Sequence, residues 1–122
     1  MVAQQLLWNG ALGGDKERRS VIGNVTSKVG SCDDNGSGRG YAYRASKAAL
    51  NVASVSLSID YRDQNVATVL LHPGWVRTRM TEGRGLIDAD ESARGLLEVC
   101  SWPSEKISGR WYDYKFEDAL VR

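Results

Sequence analysis

Tyr43 and Lys47, in the run Tyr41-Ala42-Tyr43-Arg44-Ala45-Ser46-Lys47, place a phenol and an ammonium four residues apart in a stretch whose composition predicts helix. At that spacing both side chains leave one helix face, with Cβ atoms about 6 Å apart. A neighbouring cation favours the phenolate. The pair therefore predicts a tyrosine drawn down from its unperturbed pKa of ~10 toward the range of general acid/base work. Such a device transfers protons without histidine, which suits a chain whose single histidine is His72. One Tyr/Lys pair in a chain with five tyrosines is common enough by chance that its neighbours must decide the reading.

The element that must carry the pair is the longest one predicted. From Tyr41 to Arg62 there is no Gly or Pro, and Ala45, Ala48, Ala49, Val52, Val55, Leu57 and Ile59 supply a wide apolar helical face. Before it, Ser20 to Thr26 is short and β-branched, as a strand should be, and Ser31 to Gly40 has the composition of a loop. After it, Val66 to Leu71 is apolar nearly throughout, which predicts a strand covered on both faces, and Pro73-Gly74 stops it. Asp88 reads as an N-cap with a reciprocal acid at Glu91, opening a helix through Ala93, Leu96, Leu97 and Val99 that Pro103 closes. Gly109 to Tyr114 reads as a last, aromatic strand, and the broken period of Val2, Leu6, Leu7 and Leu12 predicts a short helix over residues 2–12. Strands alternating with helices imply right-handed crossovers and a parallel sheet, an α/β architecture.

Ligands of such sheets sit at the carboxyl ends of the strands. Three features fall there together: Thr26-Ser27 closing the first strand, Tyr43 and Lys47 in the first turns of the next helix, and Pro73-Gly74-Trp75-Val76-Arg77-Thr78 after the second strand. The glycines Gly36, Gly38 and Gly40 precede a helix as a phosphate cradle does, but they do not directly follow a strand in a compact turn and are read as a surface insertion.

Bulk properties narrow the classes of function. Sixteen basic and fifteen acidic residues leave a formal charge of +1 without a sustained run of either sign, so neither nucleic acid nor an anionic membrane is an expected partner. Cys32 and Cys100 lack metal-ligand spacing and His72 stands alone, which argues against a zinc site or a histidine triad. Met1 to Leu7 lacks the basic flank and length of a signal peptide or a membrane span, and a soluble, cytoplasmic chain with reduced thiols is expected.

With Asn24-Val25-Thr26-Ser27-Lys28-Val29-Gly30, these segments occur in the order and near the spacing of the second half of a short-chain dehydrogenase/reductase, the family of NAD(P)(H)-dependent oxidoreductases with a Rossmann-type fold. Tyr41 to Asn51, His72-Pro73-Gly74-Trp75-Val76-Arg77-Thr78-Arg79-Met80 and Ser108-Gly109-Arg110-Trp111-Tyr112-Asp113-Tyr114 resemble its C-factor and sniffer-like carbonyl reductase branch, over residues 20 to 116. The resemblance implies that Tyr43 is the proton donor to a carbonyl oxygen, or the base in the reverse direction. It implies that Lys47 lowers the Tyr43 pKa and holds nicotinamide ribose hydroxyls, and that Ser27 hydrogen-bonds the substrate oxygen. Ser31 is the rival serine. Tyr43 and Lys47, with Pro73, Gly74, Val76 and Thr78, match the cofactor-binding positions for NAD or NADP, while Trp75 and residues 79–86 match a substrate flap.

The sequence has no Thr-Gly-x-x-x-Gly-x-Gly turn and no Asn-Asn-Ala-Gly stretch, which the family carries in its first half, and the family's catalytic Asn has no counterpart. The resemblance thus implies one partial Rossmann-type domain over residues 1–122, a truncated form. Its three parallel strands would be contiguous, with the first exposing a sheet edge that invites association. Weak nucleotide binding by the chain alone is expected, with a small carbonyl or alcohol compound as substrate of the complete form. The alternative is a non-catalytic module, derived from such an enzyme, that self-associates as a homodimer through helix 41–62.

Overall fold

The computed structural model describes residues 5–9 and 20–117. Strand β1 (Gln5–Asn9) pairs antiparallel with β2 (Ser20–Val25), and β2, β3 (Val66–His72) and β4 (Trp111–Asp113) follow as parallel neighbours in the order β1-β2-β3-β4. The three expected parallel strands are contiguous, as the family resemblance implies. The helix expected over residues 2–12 is not formed in its centre, where Gln5–Asn9 is strand; residues 2–4 and 10–12 lie outside the described residues. Pairing explains the difference. A bare β2 edge offers a row of unmatched N–H and C=O groups, and a segment with a weak helical period gains more by satisfying them. The edge expected to be exposed on β2 is thereby occupied, and the sheet is mixed rather than purely parallel.

Helix α1 (Tyr41–Asp60) crosses over β2 and β3, ends in a 3-10 turn at Arg62–Gln64, and enters β3 through Asn65 at φ 56°. Helix α2 (Ala89–Ser101) starts on Asp88, whose carboxylate accepts the Glu91 amide at 2.7 Å, and gives way after Trp102-Pro103 to the short α3 (Ser104–Ile107).

The two faces of the sheet are covered differently. Alternation along the strands sends Val21, Ala67, Val69, Leu71 and Tyr112 to the α2 side, where with Leu96, Val99, Cys100 and Ile107 they form the apolar core. Burial there stabilises the fold by roughly 1.5–3 kcal/mol per large side chain. The other face carries Asn24, Leu70 and Trp111, held side by side by the strand register, and it meets α1. Within α1 the fully buried residues are polar, Asn51 and Ser54. The apolar face read from the sequence exists but is turned outward, with Val52, Val55 and Ile59 exposed.

Candidate active site

Three consecutive residues, the last two of β2 and Thr26 just beyond it, are bonded by α1. The Asn24 amide nitrogen donates to Ser54 Oγ at 2.9 Å, the Lys47 ammonium donates to the Val25 carbonyl at 3.0 Å, and Thr26 Oγ1 donates to Asn51 Oδ1 at 2.6 Å. Ser54 in turn donates to the Leu50 carbonyl one turn back. Positions 47, 51 and 54 recur at helical spacing, so one stripe of α1 reads the end of β2 residue by residue. Lys47 Nζ lies 5.7 Å from the centre of the Tyr43 ring, and burial of the ammonium lowers the Lys47 pKa from its ordinary value.

Ser27 follows directly and caps a 3-10 turn, Lys28–Gly30, its hydroxyl accepting the Val29 amide at 3.4 Å. That turn is pressed onto α1 beside the pair. A Cβ on Gly30 would stand 2.8 Å from the Lys47 carbonyl carbon, a distance real side chains do not tolerate, so glycine is what permits the approach. Arg44 ties the following loop down, donating to the Val29 and Arg39 carbonyls and to Ser37 Oγ. Gly36, Gly38 and Gly40 face open space, as a surface insertion should.

The Pro73-Gly74 turn is anchored to α2, whose Ser92 hydroxyl donates to the Pro73 carbonyl at 2.7 Å. Beyond it residues 75–87 form a loop that closes on itself at its base. Val76 bridges Ile87, the Arg77 amide donates to the Ile87 carbonyl at 2.8 Å, and the Leu86 amide to the Trp75 carbonyl at 2.7 Å. Gly85 permits this neck, since a Cβ there would fall 2.1 Å from the Val76 carbonyl carbon. Thr78 and Thr81 cap the intervening 3-10 turn reciprocally. Trp75, Met80 and Leu86 stand exposed around it.

The seven residues matched to catalytic and cofactor-binding positions, Ser27, Tyr43, Lys47, Pro73, Gly74, Val76 and Thr78, all line one open cleft of about 1430 Å³ at the carboxyl ends of β2 and β3. Ser31 does not line it. The space exceeds the about 300–1,000 Å³ of a typical enclosed ligand site. His72 also lines the cleft, stacked on Trp111 with ring centres 5.4 Å apart. Its pKa is lowered chiefly by burial, helped by Lys28 and opposed by Asp113 and Asp34. The donor set suits the nicotinamide end of a dinucleotide: an ammonium and a phenol beside an apolar turn that a flat ring can lie against. The sequence reading named Asn24 and Thr26 only as parts of a motif and gave no role to them, to Asn51 or to Ser54; the available signal was that polar residues share the Lys47 stripe of the helix.

Comparison with known proteins follows the same outline. The short chain dehydrogenase family profile matches residues 3–86. C-signal of Myxococcus xanthus is 47% identical over 94 residues, covering 77% of this chain and 57% of that protein. Among solved structures, carbonyl reductase Sniffer of D. melanogaster superposes with a TM-score of 0.77 at 38% identity, over 82% of this chain and 40% of that one. The NADPH-bound carbonyl reductase from chicken fatty liver gives a TM-score of 0.73 at 38% identity, over 82% and 42%. The chain therefore spans roughly half the length of the relatives it matches.

Proposed function

Because this chain belongs to the short-chain dehydrogenase/reductase family, on its C-factor and sniffer-like branch, we propose that it carries the catalytic half of an NAD(P)(H)-dependent oxidoreductase that interconverts a carbonyl compound and its alcohol. The observation that carries the reading is the convergence of Ser27, Tyr43, Lys47 and the Pro73–Thr78 turn on one cleft.

In this reading the bound nicotinamide supplies or accepts the hydride. Tyr43 gives a proton to the carbonyl oxygen during reduction and takes it back in oxidation. Ser27 donates a hydrogen bond to that oxygen as charge develops on it, a role for which a hydroxyl held at the start of a fixed turn is well placed. Lys47 holds the ribose hydroxyls while its ammonium stays beside the phenol. Pro73, Gly74, Val76 and Thr78 bound the carboxamide side, and the flap from Arg79 to Leu86, with Trp75, covers a small-molecule substrate. The setting is cytoplasmic.

The sequence holds no Thr-Gly-x-x-x-Gly-x-Gly run for the pyrophosphate, so the chain alone binds the dinucleotide weakly and turns over little. Titration with NADPH, followed by fluorescence of the four tryptophans, is expected to show no saturation at micromolar concentration; saturable micromolar binding would overturn that part. Whatever carbonyl-dependent NADPH oxidation is measured should fall in Tyr43→Phe on the order of a hundredfold or more, and equal rates would contradict the assignment of Tyr43.

A second reading is supported by the outward apolar face of α1. Tyr41, Val52 and Ile59 are each more than half exposed. A non-catalytic module that self-associates as a homodimer through this helix predicts association that Val52→Glu abolishes and Tyr43→Phe leaves untouched.

A further inference from the structure

We propose that Asn51 and Thr26 form a positioning clasp that sets where α1 lies along β2 and so holds Lys47 and Tyr43 opposite Ser27. The inference deepens the oxidoreductase reading and rests on it for the meaning of the site, though not for the geometry.

The ground is how α1 is attached. A helix normally seats itself by burying an apolar stripe, which resists separation but tolerates sliding, because dispersion and hydrophobic contacts are not directional. On α1 that stripe faces outward, and the fully buried side chains are Asn51 and Ser54. Beside its packing on β3, α1 is therefore held at the end of β2 by hydrogen bonds, which fix position to within a few tenths of an ångström. The shortest of them, 2.6 Å, joins Asn51 to Thr26, and Thr26 sits between the carbonyl that Lys47 holds and the serine at the start of the turn. Thr26 is itself fixed to the sheet, since its amide donates to the Leu71 carbonyl at 2.8 Å. Both clasp residues are at least nine-tenths buried, so water does not compete for the bond. One turn toward the N-terminus of α1, the close Gly30 contact registers the Ser27 turn against the Lys47 backbone. Slippage of α1 would break the clasp, release Lys47 from Val25 and separate the phenol from the serine hydroxyl together.

Thr26→Val keeps the shape of the side chain and removes the donor, whereas Thr26→Ser keeps the donor. Side-chain nitrogen NMR of isotope-labelled lysines reads the consequence, with the Lys47 signal identified by its loss in Lys47→Arg. In wild-type protein Lys47 is expected to titrate below the exposed lysines because its ammonium is partly desolvated. In Thr26→Val, with the fold retained by circular dichroism, the Lys47 titration should move up toward theirs, and Thr26→Ser should restore it. A folded Thr26→Val whose Lys47 titrates as in wild type overturns the proposal. Should Thr26→Val not fold, Ser54→Ala removes the neighbouring bond to Asn24 and carries the same expectation in smaller degree, with an unchanged Lys47 overturning it.

Reduced nicotinamide mononucleotide added to the same samples separates the clasp from the reading beneath it. A Lys47 response to Thr26→Val with no nucleotide effect at Tyr43 or Val76 sustains the clasp and sinks the oxidoreductase reading; nucleotide effects with Lys47 unmoved do the reverse.

Discussion

One face of the sheet is apolar, and the other sets polar groups beside the buried Leu70 and Trp111. Toward α2, Val69, Leu71, Val99 and Ile107 are sealed from solvent in a continuous apolar cluster. Toward α1, hydrogen bonds cross the seam: Asn24 donates to Ser54, Thr26 to Asn51, and Lys47 to the Val25 carbonyl. The same face holds buried polar atoms that make no hydrogen bond among the described residues: Asn51 Nδ2, Thr68 Oγ1, His72 Nδ1 and Trp111 Nε1. An apolar face of this kind supplies stability and forgives small displacements. A polar one supplies less net stability per contact but specifies position, and it costs about 1–3 kcal/mol when a partner is removed and the other is left buried. The cleft draws Tyr43 and Lys47 from the α1 side and its anchoring from the α2 side, through Ser92 and Pro73.

Truncating the oily face should do the greatest damage. Leu71→Ala removes a fully buried side chain, and a loss of about 2–5 kcal/mol in urea unfolding is expected, with the Lys47 environment unchanged in whatever fraction remains folded. Thr26→Val should cost less, about 1–3 kcal/mol, yet it should be the variant that disturbs Lys47. If the two exchanged signatures, the division of labour between the faces would be wrong.

How much of this was legible in the sequence depended on the range of the interactions. Tyr43 with Lys47, Pro73 with Gly74, and the Asp88 cap are relations within a few residues, so spacing and residue type suffice to find them. The family motifs then ordered the cleft. The seam was not legible, because Asn24 meets Ser54 and Thr26 meets Asn51 across 30 and 25 residues, and nothing local fixes that register. The direction of the α1 apolar face was hidden for the same reason: periodicity reveals that a stripe exists, not what lies opposite it. The strand at Gln5–Asn9 escaped too, since edge pairing with β2 is decided by the partner rather than by the segment.

The smallest expected effect concerns acid. His72 sits on the polar side with its pKa lowered chiefly by burial. The folded chain therefore binds a proton less readily than the unfolded one, so stability contributed by neutral His72 is full above about pH 6.5 and declines as pH falls below it. Thermal midpoints measured between about pH 7.5 and 5 should fall more steeply for wild type than for His72→Phe, which keeps a ring against Trp111. Parallel slopes would remove His72 from the account.

The central claim is that Ser27, Tyr43, Lys47 and the Pro73–Thr78 turn form one nicotinamide-facing site. It is tested most directly by titrating the amide-labelled chain with reduced nicotinamide mononucleotide and mapping the shifts residue by residue. The account predicts weak binding, with changes confined to Ser27, Tyr43, Lys47, Val76 and Thr78 and none along the outward face of α1 at Val52 or Ile59. Changes scattered over the surface, or none at any concentration, would contradict it.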